Sequence, residues 1–530
     1  MRPLALLMGL LAACAPPATV HTTTPTYDLL ITGGTVIDGT GGASYRADVA
    51  ISGGRIALVS RSALAASAAR RTIDASGLIV APGFVDLHAH IEPLLRMPDA
   101  ESHVRQGVTT ALGGPDGGGP WPFAAYLDSA ASLGVGMNVG FLVGHNTVRR
   151  NVMQLANRDP TPAELDQMRA MVAQGMHEGA FGLSTGLRYL PGTFAKTDEV
   201  VALSRVAADS GGIYTSHLRE EGLGVIAGVA EAIDIGRRTG ITVVLTHHKV
   251  IGKPMWGQSV RTLAMVDSAR TAGVDVRIDQ YPYTATSTGI GVLVPTWALA
   301  GGDSAFERRL ADSVLRDSIT RGIVELLLTD RGGGDLSRVQ FAGVSWQRSL
   351  EGRTLHDWAV ERGLPPTPET GAQLVIDAVR RGGASAIYHV LDEADVERIM
   401  RHPQTMIASD GRLSSPGNGH PHPRAYGTFP RILGRYVRER NVLTLENAIH
   451  KMTGMPAATL RLSDIGVVRT GARADLTIFN ADSVVDRATF QEPHQYPTGI
   501  PYVIVNGTLA VDSGRFTGAR AGRVLRRGRP

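Results

Sequence analysis

Cysteine is almost absent: Cys14 is the single one in 530 residues. No disulfide can close within the chain, and a metal site would have to be built from nitrogen and oxygen donors. Aromatic residues make up only 5 %, and positive charge exceeds negative by just 4. So small an excess argues against nucleic acid as the main partner. The apolar run in "MRPLALLMGLLAAC" spans only about ten residues, too few to cross a bilayer as a helix. What the chain has instead is glycine, 63 residues of it, and a length that calls for two or more domains. The composition suits a soluble α/β enzyme better than a membrane or disordered protein.

The apolar start, with its early arginine, reads as a targeting segment. Its last four residues, Leu11-Ala12-Ala13-Cys14, resemble a bacterial lipobox, in which the signal is cut before a cysteine that becomes lipidated. An ordinary secretory signal with an incidental cysteine is the plainer alternative. Residues 1–14 are therefore expected to be a lipoprotein signal ending at a lipidated Cys14, and 15–26, "APPATVHTTTPT", a flexible tether. The expected location is the periplasmic side of a bacterial envelope, with Ala15 compatible with the outer membrane. At the far end, "ARAGRVLRRGRP" puts five arginines into the last eleven residues, which reads as a solvated tail.

From Tyr27, "YDLLITGGTVIDGTGG" and "RADVAISGGRIALVS" are short alternating strands between glycine turns. The same texture returns in "GARADLTIFNADSV" and "PYVIVNGTLAVDSGRF". These pieces, 27–82 and 466–530, are expected to close into one small β-sandwich. Between them, over 83–465, apolar runs alternate with amphipathic helical stretches such as "TPAELDQMRAMVAQGMHEG". The runs are "FVDLHAH", "GVTTALGG", "MNVGFLVGHN", "AFGLSTG", "GIYTSHLR", "ITVVLTHHK", "VDVRIDQYPY" and "QTMIASDG". Strand then helix, eight times over, predicts an α/β fold of the (β/α)8, TIM-like barrel type. About 120 residues separate the last two runs, so a helical insertion, at 288–385, should cover part of the barrel.

In such a barrel the strand C-termini converge on the face where active sites are built. Those ends carry His88, His90, Asp116, His145, His217, His247, His248 and Asp410. A strand points residues i and i+2 the same way, so His88 and His90 share a side. One His-x-His pair is weak evidence; imidazoles and carboxylates at the ends of at least four strands point to a metal centre, since both are ordinary ligands of zinc and its neighbours.

"APGFVDLHAH", the split β unit and "SDG" near the last strand resemble the amidohydrolase superfamily. Within it, "GVTT", "STGLRYLPG", "YTSHLREEG", "THHKVIGKPMWG", "DQYPYTA", "PTWALAGG" and "HPRAYGTFPRILGRYVRE" are similar to the N-acyl-D-amino-acid deacylase (D-aminoacylase) family. The likeness runs from Tyr27 to Arg527. It implies that His88 and His90 bind one metal, which Asp410 also approaches, and that His217 and His247 bind a second position, while His248 points away. Family members usually carry a cysteine, bridging the two positions, where "TTALGGPDGGGP" has Asp116. A carboxylate can also bridge two cations, and its harder oxygens suit manganese or cobalt beside zinc. The glycines around it would let the backbone approach the metals. The alternative is an aspartate bonded to its own β-turn.

The resemblance further implies that Lys249, Tyr281 and Arg424 hold the substrate's α-carboxylate, with Tyr189 and Tyr283 as weaker candidates. A surface ion pair for Arg424, core packing for Tyr281 and a solvated loop for Lys249 are their ordinary alternatives. His145 reads better as a satisfied loop histidine than as a substrate contact, and His389, His420 and His422 as structural or lid residues. The expected activity is metal-dependent hydrolysis of N-acyl-D-amino acids, or of peptides ending in a D-residue, with Asp410 as base and then acid. The fourth run has no lysine, which weakens a cyclic-amide hydrolase reading; a dipeptidase on the same scaffold stays open, and a non-catalytic binding lipoprotein is the remaining class. The expected partners are a small-molecule substrate and, through the lipid, a membrane.

Overall fold

The computed structural model describes residues 26–528. Cys14, the signal and nearly all of the tether lie outside the described residues. No helix among those described is long and apolar enough to cross a membrane.

All eight apolar runs form barrel strands in chain order: Phe84–Asp86, Val108–Gly113, Asn138–Phe141 with Val143–Gly144, Gly182–Gly186, Ile213–His217, Thr242–Leu245, Val276–Gln280 and Thr405–Ile407. Neighbours pair in parallel, the first three strands in one ladder and the third to the eighth in another. The first and eighth meet through their extensions, Ala89–His90 pairing with Gly411–Arg412. Period-2 alternation sorts the side chains. Val85, Leu112, Leu142, Phe181, Ile213, Val244 and Met406 form one buried cluster, which is the barrel interior. Phe84, Ala111, Val139, Leu183, Tyr214, Val243 and Ile407 face outward into the layer of helices.

Local signals set those helices. Helix Pro162–His177 begins at Thr161, whose side chain accepts from Glu164 N–H while Glu164 accepts from Thr161 N–H, with Pro162 in the first turn. Such a cap stabilises by about 1 kcal/mol. Met168, Val172 and Met176, four residues apart, bury one stripe against the strands. Helix Val225–Thr239 stops at Gly240, whose φ of 71° is left-handed.

The chain ends combine in one nine-stranded sheet in which Ile79–Pro82, from the N-terminal piece, pairs with Leu476–Phe479 from the C-terminal one. Leu29, Ile31, Val49, Ile51, Leu476, Ile478 and Ile504 share its core. The insertion before the last strand is helical, with a core of its own, and it adds a feature the sequence pattern did not reveal. Thr286–Gly289, Ser385–Tyr388 and Val339–Gly343 make a three-stranded antiparallel sheet at the barrel mouth. These strands are short and far apart in the chain, and the first, TSTG, holds only small polar residues and glycine, so no long periodic run marks the sheet.

The basic tail is not solvated as expected. Val524 pairs with Val139 at the start of the third strand, Leu525 is buried, and Arg526 donates to Asp128 at 2.6 Å and to Glu178 O at 3.0 Å. The adjacent Val524 and Leu525 seat the segment, and acidic and carbonyl groups take up Arg526.

Candidate active site and metal centre

The strand ends deliver their polar residues to one place. His88 and His90 leave the first strand, Asp116 sits in the glycine loop after the second, His217 ends the fifth, and His247 and Asp410 lie just past the sixth and eighth. Donor atoms of His88, His90, Asp116 and Asp410 lie within 4.8 Å of one another, as do those of Asp116, His217 and His247. Asp116 belongs to both groups. Its Oδ1 is 3.6 Å from His88 Nε2 and 3.4 Å from His247 Nε2, while Oδ2 is 3.6 Å from both His90 Nε2 and His217 Nδ1. Each oxygen thus faces one imidazole from each group.

The loop geometry explains why glycine surrounds this acid. Asp116 has φ 54° and Gly117 φ 78°. A Cβ on Gly117 would fall 2.2 Å from Asn146 Oδ1, and one on Gly119 would fall 2.5 Å from Gly144 N. The glycines therefore let the loop lie against the ends of the third and fourth strands; they serve close packing rather than approach to an ion. His247 and Asp410 also have positive φ, 37° and 49°. Non-glycine residues adopt this region only when their surroundings overdetermine it, so three of the six donors are held under strain.

Buried His88 Nε2 and Asp116 Oδ1 have no hydrogen-bond partner among the described residues. Leaving such atoms unpaired is costly, and a divalent cation satisfies both at once, so the donor set fits a metal. Burial alone would push the Asp116 carboxyl up, but the charges of His247 and His88 and the close approach of the His217 ring hold it well below the carboxylate range. Asp410 is also lowered: burial opposes this, and Arg424 and His88 outweigh it.

Carboxylates stand behind the rings. Glu92 Oε1 is 3.0 Å from His90 Nδ1, Asp279 Oδ1 is 3.7 Å from His88 Nδ1, and Glu221 Oε1 is 3.2 Å from His247 Nδ1. Asp279 also accepts from His247 N–H at 2.6 Å. Carboxylates behind metal-facing histidines fix ring orientation and raise basicity. The sequence reading missed Glu92, Asp279 and Glu221. They occur within or beside the motifs "HAH", "DQYPY" and "HLREEG", but proximity in the chain does not say which acid turns inward.

A cavity of about 1050 Å³ opens above these donors. Lys249, Tyr281, Arg424 and Tyr189 all line it. Arg424 and Lys249 are buried, so neither is a surface charge. Arg424 Nη1 lies 2.8 Å from Asp410 Oδ2, and its guanidinium sits 4.8 Å from the Tyr281 ring centre. Lys249 Nζ donates to Glu221 Oε1 at 2.6 Å. Burial pulls the lysine's pKa down while Glu221 and Asp410 oppose it. The Tyr281 hydroxyl is buried without a partner among the described residues. Tyr189 packs its ring 4.4 Å from His217 and accepts from Thr288 Oγ1 at 3.1 Å.

The remaining candidates are occupied elsewhere. His145 Nε2 is 2.8 Å from Glu199, which also pairs with Arg149. His248 turns away and meets Thr262 Oγ1 at 2.8 Å. Tyr283 packs against His422 and Phe490, and His389 against Phe490. His420 and His422 bond the carbonyls of Phe490 and Ala285, the latter ring forming part of the cavity wall.

Residues 71–511 match the model of the Amidohydrolase family. An N-acyl-D-glutamate deacylase of Alcaligenes xylosoxydans xylosoxydans is 39 % identical over 94 % of this chain and 96 % of its own length. A D-aminoacylase of the same organism is 36 % identical over 94 % and 98 %. Among solved structures, a D-aminoacylase superposes with a TM-score of 0.80 at 36 % identity, covering 94 % of this chain and all of that one. An N-acyl-D-glutamate deacylase from Bordetella bronchiseptica, bound to zinc and a phosphonate mimic of the tetrahedral intermediate, matches equally well, with a TM-score of 0.80. The chain belongs to the amidohydrolase family, in its N-acyl-D-amino-acid deacylase branch.

Proposed function

We propose that this protein is a metal-dependent deacylase that hydrolyses the amide bond of N-acyl-D-amino acids, releasing a carboxylic acid and a free D-amino acid. One observation carries the reading. Two clusters of metal donors share Asp116 at the floor of a cavity whose wall presents Arg424, Lys249 and Tyr281. Relatives of this make act on N-acyl-D-glutamate and N-acyl-D-aspartate, and one contains zinc.

His88, His90 and Asp410 would hold one ion and His217 and His247 a second, with Asp116 between them. The chemistry that zinc would supply there is Lewis acidity toward the scissile carbonyl and a water nucleophile near neutral pH. Asp410 accepts the proton of the attacking water and returns it to the departing nitrogen. Arg424 binds the α-carboxylate through its planar fork, assisted by the Tyr281 hydroxyl and by Lys249. Anchoring that carboxylate fixes the amide over the donors.

The first 14 residues we read as a lipoprotein signal, with lipidation at Cys14 and a periplasmic place for the enzyme. The support is the sequence Leu11-Ala12-Ala13-Cys14 behind a short apolar run. Labelling cells with a radioactive fatty acid tests it, since a Cys14→Ser protein should lose the label.

The deacylase reading is tested by stripping the protein with a chelator and reloading it with zinc. Hydrolysis of N-acyl-D-amino acids should vanish and return; activity that survives full removal of metal contradicts it.

A further inference from the structure

A third buried cation, besides Arg424 and Lys249, faces the cavity. Arg331 follows helix Ser313–Thr329 of the insertion, is 3 % exposed and lines the cavity. Its Nε donates to Asp330 Oδ2 at 3.2 Å and its Nη1 to Thr286 Oγ1 at 3.1 Å. Nη2 has no protein partner among the described residues. The guanidinium stands 5.3 Å from the Tyr388 ring centre, so its plane is fixed on three sides.

The charges behind it alternate. Asp330 Oδ2 also lies 3.9 Å from Arg188 Nη2, and Arg188 Nη1 pairs at 3.0 Å with Glu220, whose side chain is 43 % exposed. From solvent inward the order is Glu220, Arg188, Asp330, Arg331. The row is neutral overall, yet it turns a positive end toward the cavity and a negative end toward water. A buried guanidinium is expensive unless every donor is met, and Arg331 lines the space where substrate binds. Tyr189 and Tyr281 line the same cavity as Arg331.

Resting on the deacylase reading, we propose that Arg331 determines side-chain specificity: it takes the side-chain carboxylate of the D-residue, so the enzyme acts on N-acyl-D-amino acids with acidic side chains. Arg424, Tyr281 and Lys249 then hold the α-carboxylate and Arg331 the second one; Arg331 bonds Thr286 and Arg424 the neighbouring Ser287 carbonyl, so the two guanidiniums flank one strand of the cavity wall. Thr286, already bonded to Arg331, keeps the fork oriented.

The test compares kcat/KM for N-acetyl-D-glutamate with that for N-acetyl-D-glutamine, which differs only in charge and one donor group. The intact enzyme should favour glutamate by about 100-fold, the scale of a charge-assisted hydrogen bond in a buried site. In Arg331→Met the ratio should fall to about 1 or below, and Arg331→Lys should restore part of it. The double variant Asp330→Asn with Arg331→Met avoids a stranded carboxylate and should give the same ratio, so a folding defect in the single variant leaves the test intact. Equal rates on the two substrates in the intact enzyme, or an unchanged ratio in the variants, overturns the proposal while leaving the deacylase reading in place. Failure to cleave any N-acyl-D-amino acid overturns the deacylase reading itself.

Discussion

Arg424 Nη1 lies 2.8 Å from Asp410 Oδ2, both side chains buried, and in the proposed mechanism this pairing joins substrate binding to proton transfer. The guanidinium helps hold the Asp410 carboxyl below its usual range, which makes it a weak base. In that mechanism an incoming α-carboxylate would compete for the same fork, and as Arg424 shifted its bonds the Asp410 carboxylate would gain basicity with the amide in place. Arg424→Met should therefore lower kcat/KM for an N-acyl-D-amino acid by at least about 100-fold, as loss of a bidentate charged contact demands. The same variant should barely discriminate between that substrate and its α-carboxamide. Steady-state kinetics on the pair check this.

Asp116 predicts a metal phenotype. Asp116→Ala should weaken metal binding by more than the roughly 10–100-fold that loss of an outer partner costs, seen as a fall in ions per chain by elemental analysis. Asp116→Cys should retain metal and shift preference from manganese and cobalt toward zinc, because a thiolate is the softer donor. Full metal content and rate in Asp116→Ala would restore the turn reading.

Lys451 supplies a pH signature away from the site. Its ammonium is buried and donates to His402 O at 2.7 Å and Thr405 O at 2.9 Å, holding the approach to the eighth strand. Burial pushes its pKa from 10.5 down to about 8. Between those values the unfolded chain binds a proton that the folded one does not, so this lysine's contribution to stability rises with pH across that window and is level on either side. The gain is on the order of 3 kcal/mol. Urea midpoints at pH 7, 9 and 10.5 should show the rise in the intact protein relative to Lys451→Met, which lacks the titrating group.

The basic tail makes a mechanical prediction. Removing residues 519–530 exposes the surface under Leu525 and breaks the Arg526 contacts with Asp128 and Glu178. The cost should be roughly 2–4 kcal/mol, read as a lower denaturation midpoint with unchanged chemistry per folded molecule. An unchanged midpoint would mean that the tail is as dispensable as its composition suggests.

Much of this architecture is legible in the sequence because barrel strands are short, apolar and separated by helices of another period. His88, His90, His217, His247 and Asp410 stand at the ends of such runs, so finding the strands finds the donors. Glu221 and Asp279 were not found, because turning inward depends on loop paths that no periodicity encodes. The tail misled for a related reason: arginine content suggests solvation, whereas Val524 and Leu525 between the arginines decide where the segment lies. Arg331 was invisible in the same way, one arginine among many in an insertion without a repeating pattern.

The most direct measurement is hydrolysis by the zinc-loaded enzyme of N-acetylated glutamate, glutamine and leucine, each as separate D and L enantiomers. The account predicts release of the free amino acid from D substrates alone, fastest with glutamate. Cleavage of the L forms at comparable rates, or of none of the six, would contradict it.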